Sequence, residues 1–202
     1  GVGIVVPLLT VYANDLGASG IYVGLIFGAF AISRTILLPV FGRLSDFKGR
    51  KPFIVAGLLA YTLISIAFIF SESVESLILI RFIHGAGSAM IMPVVQAYIG
   101  EITPEGSEGY AMGLFNLSMF LSLSLGPLIG GVISDLWSLD TAFGLMGAFS
   151  ATGLMLCLVF LPPVSLERVH QSPERPKPWS ELLKDRMLIL IFLFRYAYVC
   201  CI

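Results

Sequence analysis

Charge is what this sequence has least of. Only 12% of its 202 residues are Asp, Glu, Lys or Arg, and 57% are hydrophobic. An ordinary soluble domain carries roughly a quarter charged residues, so that class is excluded. Twelve basic residues against thirteen acidic ones leave a net charge of −1. No broad basic face is available for a nucleic-acid partner. The three cysteines, Cys157, Cys200 and Cys201, all lie inside apolar runs, which argues against a disulfide framework. There is no Cys/His cluster with metal-ligand spacing, and no Gly-x-x-x-x-Gly-Lys phosphate loop. No metal and no cofactor are expected.

What fills the chain instead is apolar sequence in runs long enough to cross a bilayer, which needs about 20 residues of helix. Residues 52–71, 109–134 and 141–166 contain no charged residue, residues 16–42 contain only Arg34, and residues 76–100 only Arg81. These are five complete spans. Incomplete ones flank them at residues 1–14 and 187–202, so both termini read as cut and the chain as a fragment of a larger polytopic protein. The expected organisation is a six-helix transmembrane bundle over residues 1–161 with its first helix truncated, a connection over 162–186, and the start of a seventh helix over 187–202. The fold class is an all-α membrane protein with the lipid bilayer as its solvent.

The basic residues give the orientation. The segment 43–51 holds four, and 162–186 holds Arg168, Arg175, Lys177, Lys184 and Arg186. The turns on the opposite side, near Asp15, Glu72 to Glu75 and Asp135 to Asp140, hold none. Lys and Arg in short loops mark the cytoplasmic side, and the cell membrane is the expected location. The segment 162–186, rich in Pro and charge, reads as a cytoplasmic linker. Six spans followed by a linker suggest a second half of similar size, because internal repeats are common in secondary transporters.

The densest cluster of charge is Gly42-Arg43-Leu44-Ser45-Asp46-Phe47-Lys48-Gly49-Arg50-Lys51-Pro52. Gly42 is expected to end one span, and Gly49 to let the chain turn sharply. Asp46 and Arg50 stand four apart, a spacing for an ion pair across one helical turn if the helix persists that far. Alone, the cluster supports no more than an orientation anchor. In the fourth span Arg81, His84, Ser88, Met92 and Gln96 recur at helical spacing and form a polar stripe. A charge at bilayer depth normally faces a cavity or a partner. The stripe reads either as a cavity-lining face that binds substrate or relays protons, or as interhelical hydrogen bonding with no transport role. His84 is the member whose ordinary titration lies near neutral pH. Arg34, about 12 Å deep at 1.5 Å per residue, and Arg195 in the last run are further cavity candidates. In the fifth span Ser122, Gly126 and Gly130 repeat small residues at four-residue spacing, which lets helices approach closely, and Pro127 favours a kink.

Three strings together resemble the major facilitator superfamily. The string from Gly42 through Leu44, Ser45, Asp46, Gly49, Arg50 and Lys51 is similar to the family's loop between helices 2 and 3, with Phe47-Lys48 in place of a basic residue followed by an aromatic. Leu77, Arg81, His84 and Gly85 resemble its second motif, with His84 where Gln is usual. Gly113, Ser122, Gly126, Pro127, Gly130 and Gly131 resemble its antiporter motif, with Ser122 in a glycine slot. The resemblance covers the whole chain and implies the N-terminal half of a twelve-helix fold. It further implies a cytoplasmic latch of Gly42, Asp46, Gly49, Arg50, Lys51 and Glu101, with Asp46 facing a helix of the absent C-terminal six-helix half. The implied activity is proton-coupled efflux of small molecules by alternating access, powered by the proton gradient and performed by a monomer when full length. Uptake of a sugar or organic acid by a symporter or uniporter is the alternative, and a non-transporting sensor is a weaker one. An enzyme is not expected, because the complete spans hold no Asp or Glu to pair at depth.

Overall fold

A computed structural model describes residues 2–162. Six α-helices account for nearly all of them: α1 Val2–Asp15, α2 Gly20–Lys48, α3 Arg50–Ile69, α4 Val74–Ile102, α5 Glu108–Leu136 and α6 Leu139–Phe160. No strand occurs among the described residues. Helices α2 to α6 are each long and apolar enough to cross a membrane. Helix α1, at 14 residues, is shorter than a full span. The expected linker beyond Pro162, the seventh span and Arg195 lie outside the described residues.

Hydropathy locates the spans, and local hydrogen bonding sets where the helices stop. Ser73 caps α4 through the backbone N–H of Ser76, whose side chain returns the bond to the Ser73 N–H. Ser138 caps α6 by accepting from the Thr141 N–H at 3.1 Å. Each such cap contributes about 1 kcal/mol. Gly42 closes the uncharged run, and α2 runs on past it to Lys48, so that Asp46 lies just inside the helix end; a single residue, Gly49, separates α2 from α3. Gly49 stands at φ 88°, a conformation that disfavours any residue with a Cβ. Pro52 then falls in the first turn of α3, where its missing N–H costs nothing.

Helix α2 packs most extensively on α4, α3 lies against both α4 and α6, and α1 lies chiefly against α5. Because lipid is as apolar as a leucine side chain, close backbone approach rather than water exclusion holds such helices together. A Cβ on Gly85 would strike the Phe30 carbonyl oxygen of α2, and one on Gly57 would strike Ile91 of α4. A Cβ on Gly147 of α6 would come within 3.0 Å of the Ser65 hydroxyl, which itself donates to the Phe143 carbonyl at 2.6 Å. The apolar packing separates into two ends. One gathers Val5, Leu9, Ile26, Ile64, Phe68, Leu77, Phe143 and Met146, with Phe68 and Phe143 stacked at 5.1 Å. The other, next to the α2–α3 turn, gathers Phe53, Ile54, Val94, Tyr98 and Cys157.

Candidate functional site

The α2–α3 turn sets two cations, Arg50 and Lys51, at the start of a helix with no acid in its first turn. That is the wrong sign for a helix N-terminus, where the macrodipole favours negative charge. Neighbouring groups answer it. The Arg50 guanidinium forms an ion pair with Asp46 on the last turn of α2. Its Nη1 donates to the Ser45 hydroxyl at 2.7 Å, and its Nε donates to Glu101 Oε1 on α4 at 2.9 Å. Nη2 reaches the same Glu101 oxygen at 2.8 Å, leaving Oε2 buried without a partner. The Arg50 side chain is 10% exposed, whereas Asp46 is 48% exposed. Ser45 relays the contact by donating to the Gly42 carbonyl at 2.7 Å. Lys51 turns away and donates from Nζ to the Leu158 carbonyl near the end of α6 at 3.2 Å, where a cation suits the helix dipole.

Asp46 and Arg50 therefore meet, but not along one continuous helix as their spacing suggested. They bridge the Gly49 break. All six residues selected for the latch lie at this corner, joining the ends of α2, α3 and α4 and reaching α6. Nothing in the residue spacing singles out the Ser45 hydroxyl as a ligand of Arg50. Tyr98, also unselected, donates from its hydroxyl to the Pro162 carbonyl at 3.1 Å.

The polar stripe on α4 divides. Arg81, His84 and Ser88 are buried, Met92 is half-buried and Gln96 is exposed. Arg34 on α2 is half-buried, beside the point where Gly85 crosses that helix. Arg81 Nη1 lies 3.3 Å from His84 Nδ1, and the guanidinium carbon stands 4.5 Å from the Phe30 ring centroid and 5.3 Å from that of Phe27. Its Nε is buried without a hydrogen-bond partner. No carboxylate pairs with Arg81 among the described residues, so the rings supply its stabilising field. His84 is in turn enclosed by Tyr61, Phe30 and Phe68, with ring centroids 4.7, 5.3 and 6.1 Å away. The sequence hid this cage because aromatic residues in an apolar run carry no mark of their partners.

The α5 string also divides. Gly126 and Gly130 are its buried positions. Gly113, Ser122 and Pro127 are exposed and Gly131 is half-buried. The Ser122 hydroxyl donates to the Ser118 carbonyl of its own helix at 2.9 Å, a back-bond that serine makes within helices. A groove of about 240 Å³ between α3 and α6, lined by Thr62, Ser65, Ile66, Ile69 and small residues of α6, contains none of the selected residues. No group of residues suited to a metal ion occurs among the described residues.

An all-helical bundle with apolar spans, a charged corner across a glycine break and a buried cation on its fourth helix matches known proteins over most of its length. Residues 1–201 match the Major Facilitator Superfamily, and the chain belongs to that family. It is 37% identical over 203 residues to an uncharacterized MFS-type transporter of Methanocaldococcus jannaschii, covering 98% of this chain and 53% of that protein. It is 32% identical to Multidrug resistance protein 1 of Bacillus subtilis, covering 86% of this chain and 43% of that one. It is also 32% identical to the Quinolone resistance protein NorA of Staphylococcus aureus, covering 80% and 41% respectively. The chain thus spans about half the length of the curated relatives it matches. The structure of the human organic anion transporter MFSD10 superposes with a TM-score of 0.65 at 22% identity, over 78% of this chain and 38% of that one, a likeness of fold. The bundle is of the kind that forms the N-terminal half of the family's fold, in a multi-pass protein of the cell membrane.

Proposed function

We propose that the protein carrying this chain is a proton-coupled exporter of small molecules that works by alternating access. The observation that carries the reading is the Arg50 corner. Three helix ends are joined through one guanidinium to two carboxylates and a hydroxyl, while the Asp46 side chain stays about half exposed and free to engage a further element. A joint of this kind stabilises one arrangement of helices and releases another when it opens, which is what a two-state transporter needs. Export rather than uptake is supported by the relatives whose names record multidrug and quinolone resistance, and by the resemblance of the α5 string, in which Gly126 and Gly130 are buried, to the family's antiporter motif.

The stripe of Arg81, His84, Ser88 and Gln96, with Arg34, supplies the candidate polar face for substrate and protons. Proton coupling needs a group that gains and loses a proton during the cycle. His84 titrates in the right range in water, and its surroundings decide between a proton carrier and a hydrogen-bond acceptor. The family reading makes no use of enzymatic chemistry, and a small-molecule substrate, the bilayer and a second six-helix half are the partners it requires.

The test is a proteoliposome assay of the full-length protein with an imposed pH gradient and a panel of drug-like compounds. Export driven by protons moving inward is the expected result. Flux that ignores the gradient would remove proton coupling, and accumulation driven with the protons would favour the uptake alternative.

A further inference from the structure

His84 is buried on a span helix, and its polar contact is decided by chemistry rather than by choice of tautomer. The contact at 3.3 Å joins Arg81 Nη1 to His84 Nδ1. A guanidinium can only donate, so Nδ1 must accept, and the ring proton must sit on Nε2. A second proton on Nδ1 would turn N–H against N–H and place two cations side by side. The charged or titratable groups around the ring are Arg81 on its own helix, Tyr61 on α3 at 4.7 Å between centroids, and Arg34 of α2 near Tyr61. No carboxylate from the described elements is there to balance a second charge.

From this geometry we infer that His84 is a positioning residue: an uncharged acceptor that holds the Arg81 guanidinium over Phe30, not a carrier of the transported proton. The cage supports it. Phe30, Tyr61 and Phe68 meet the imidazole at interplanar angles of 71°, 82° and 74°, so the ring is fixed edge to face on three sides while Nδ1 is aimed along α4 at Arg81. A glutamine in place of His84 would offer an acceptor oxygen at similar reach and could not titrate. The two side chains share acceptance, not acidity.

Two arms test it, and only the second rests on the export reading. The chain has two histidines, His84 and His170, and in a full-length protein labelled with 15N-histidine the His84 imidazole is the signal set that the H84Q variant removes. The expected result is a His84 ring in the neutral Nε2–H form with unchanged shifts from pH 8 to pH 5. An imidazolium, or an Nδ1–H tautomer, anywhere in that range overturns the inference. In the flux arm, H84L should lose at least tenfold in export, and H84Q should recover to within about threefold of the parent with the same pH profile. A glutamine variant as impaired as the leucine one, or one with a displaced pH profile, would overturn it. If no compound is exported at all, the export reading fails while the spectra still decide the role of His84.

Discussion

Two arginines in this bundle meet opposite environments. Arg50, at the rim, is held by Asp46, Glu101 and Ser45 from two other helix ends. Arg81, inside, has an imidazole nitrogen and two phenyl faces. Ion pairing with full hydrogen bonding suits a place where water reaches one partner, as it does Asp46, because the desolvation cost of a charge pair grows steeply with depth. Deep in the bundle a carboxylate would itself have to be desolvated. Aromatic rings offer a cation an attractive quadrupole without bringing a second charge. The difference teaches what each residue is built to do. The rim site has ligands that can be exchanged for water, whereas the ring faces against Arg81 are contacts that water does not replace in kind.

The most severe way to break the comparison is Arg50→Ala, which leaves two carboxylates at one corner with no cation. We expect a loss of export of more than tenfold in proteoliposomes and a lower midpoint of thermal unfolding in detergent. Retention of either at the parent value would show that the corner is ornamental. Next is Phe30→Leu, which keeps apolar volume but removes the face under Arg81. A loss of about 1–2 kcal/mol is expected, as for a desolvated cation–π contact, and Phe27→Leu should cost less because its ring is farther away. Equal losses at the two positions would mean general packing and no ring field. Asp46→Asn should slow export about fivefold while membrane insertion, followed by protease accessibility, stays normal; a half-exposed ion pair contributes at most about 1 kcal/mol to stability. Ser45→Ala is the mildest. It removes one neutral ligand of a guanidinium that keeps two acids, so a change of about 1 kcal/mol or less is expected in the same melting experiment.

Much of the fold could be read from missing charge. The uncharged runs at 52–71 and 109–134 lie within a few residues of α3 and α5, because a charge at bilayer depth is costly enough to be written into the sequence. The end of α2 was not legible in that way. Hydropathy reports where hydrocarbon stops, but a helix continues until its backbone is turned, here at Gly49. The rim site was legible through its spacing and its resemblance, although Asp46–Arg50 looked like one turn of a helix and proved to be a contact across a break. The inner site was half legible: Arg81 and His84 stand out in an apolar run, but Phe27, Phe30, Tyr61 and Phe68 are four aromatics among the chain's many. Only the crossing of α2 and α4, set by the absence of a Cβ at Gly85, brings those of α2 onto the same charge.

Gly49 has a mechanical consequence. A joint of one residue holds about 3.8 Å of chain, so α2 and α3 have no slack with which to move apart. A tilt of the long α2 must drag the first turn of α3 with it, and that turn is fastened to α4 by Arg50 and to the end of α6 by Lys51. Four helices are thereby yoked at one end. Lengthening the joint by two or three glycines would leave the Arg50 and Lys51 bonds available and remove only the yoke, turning a lever into a hinge.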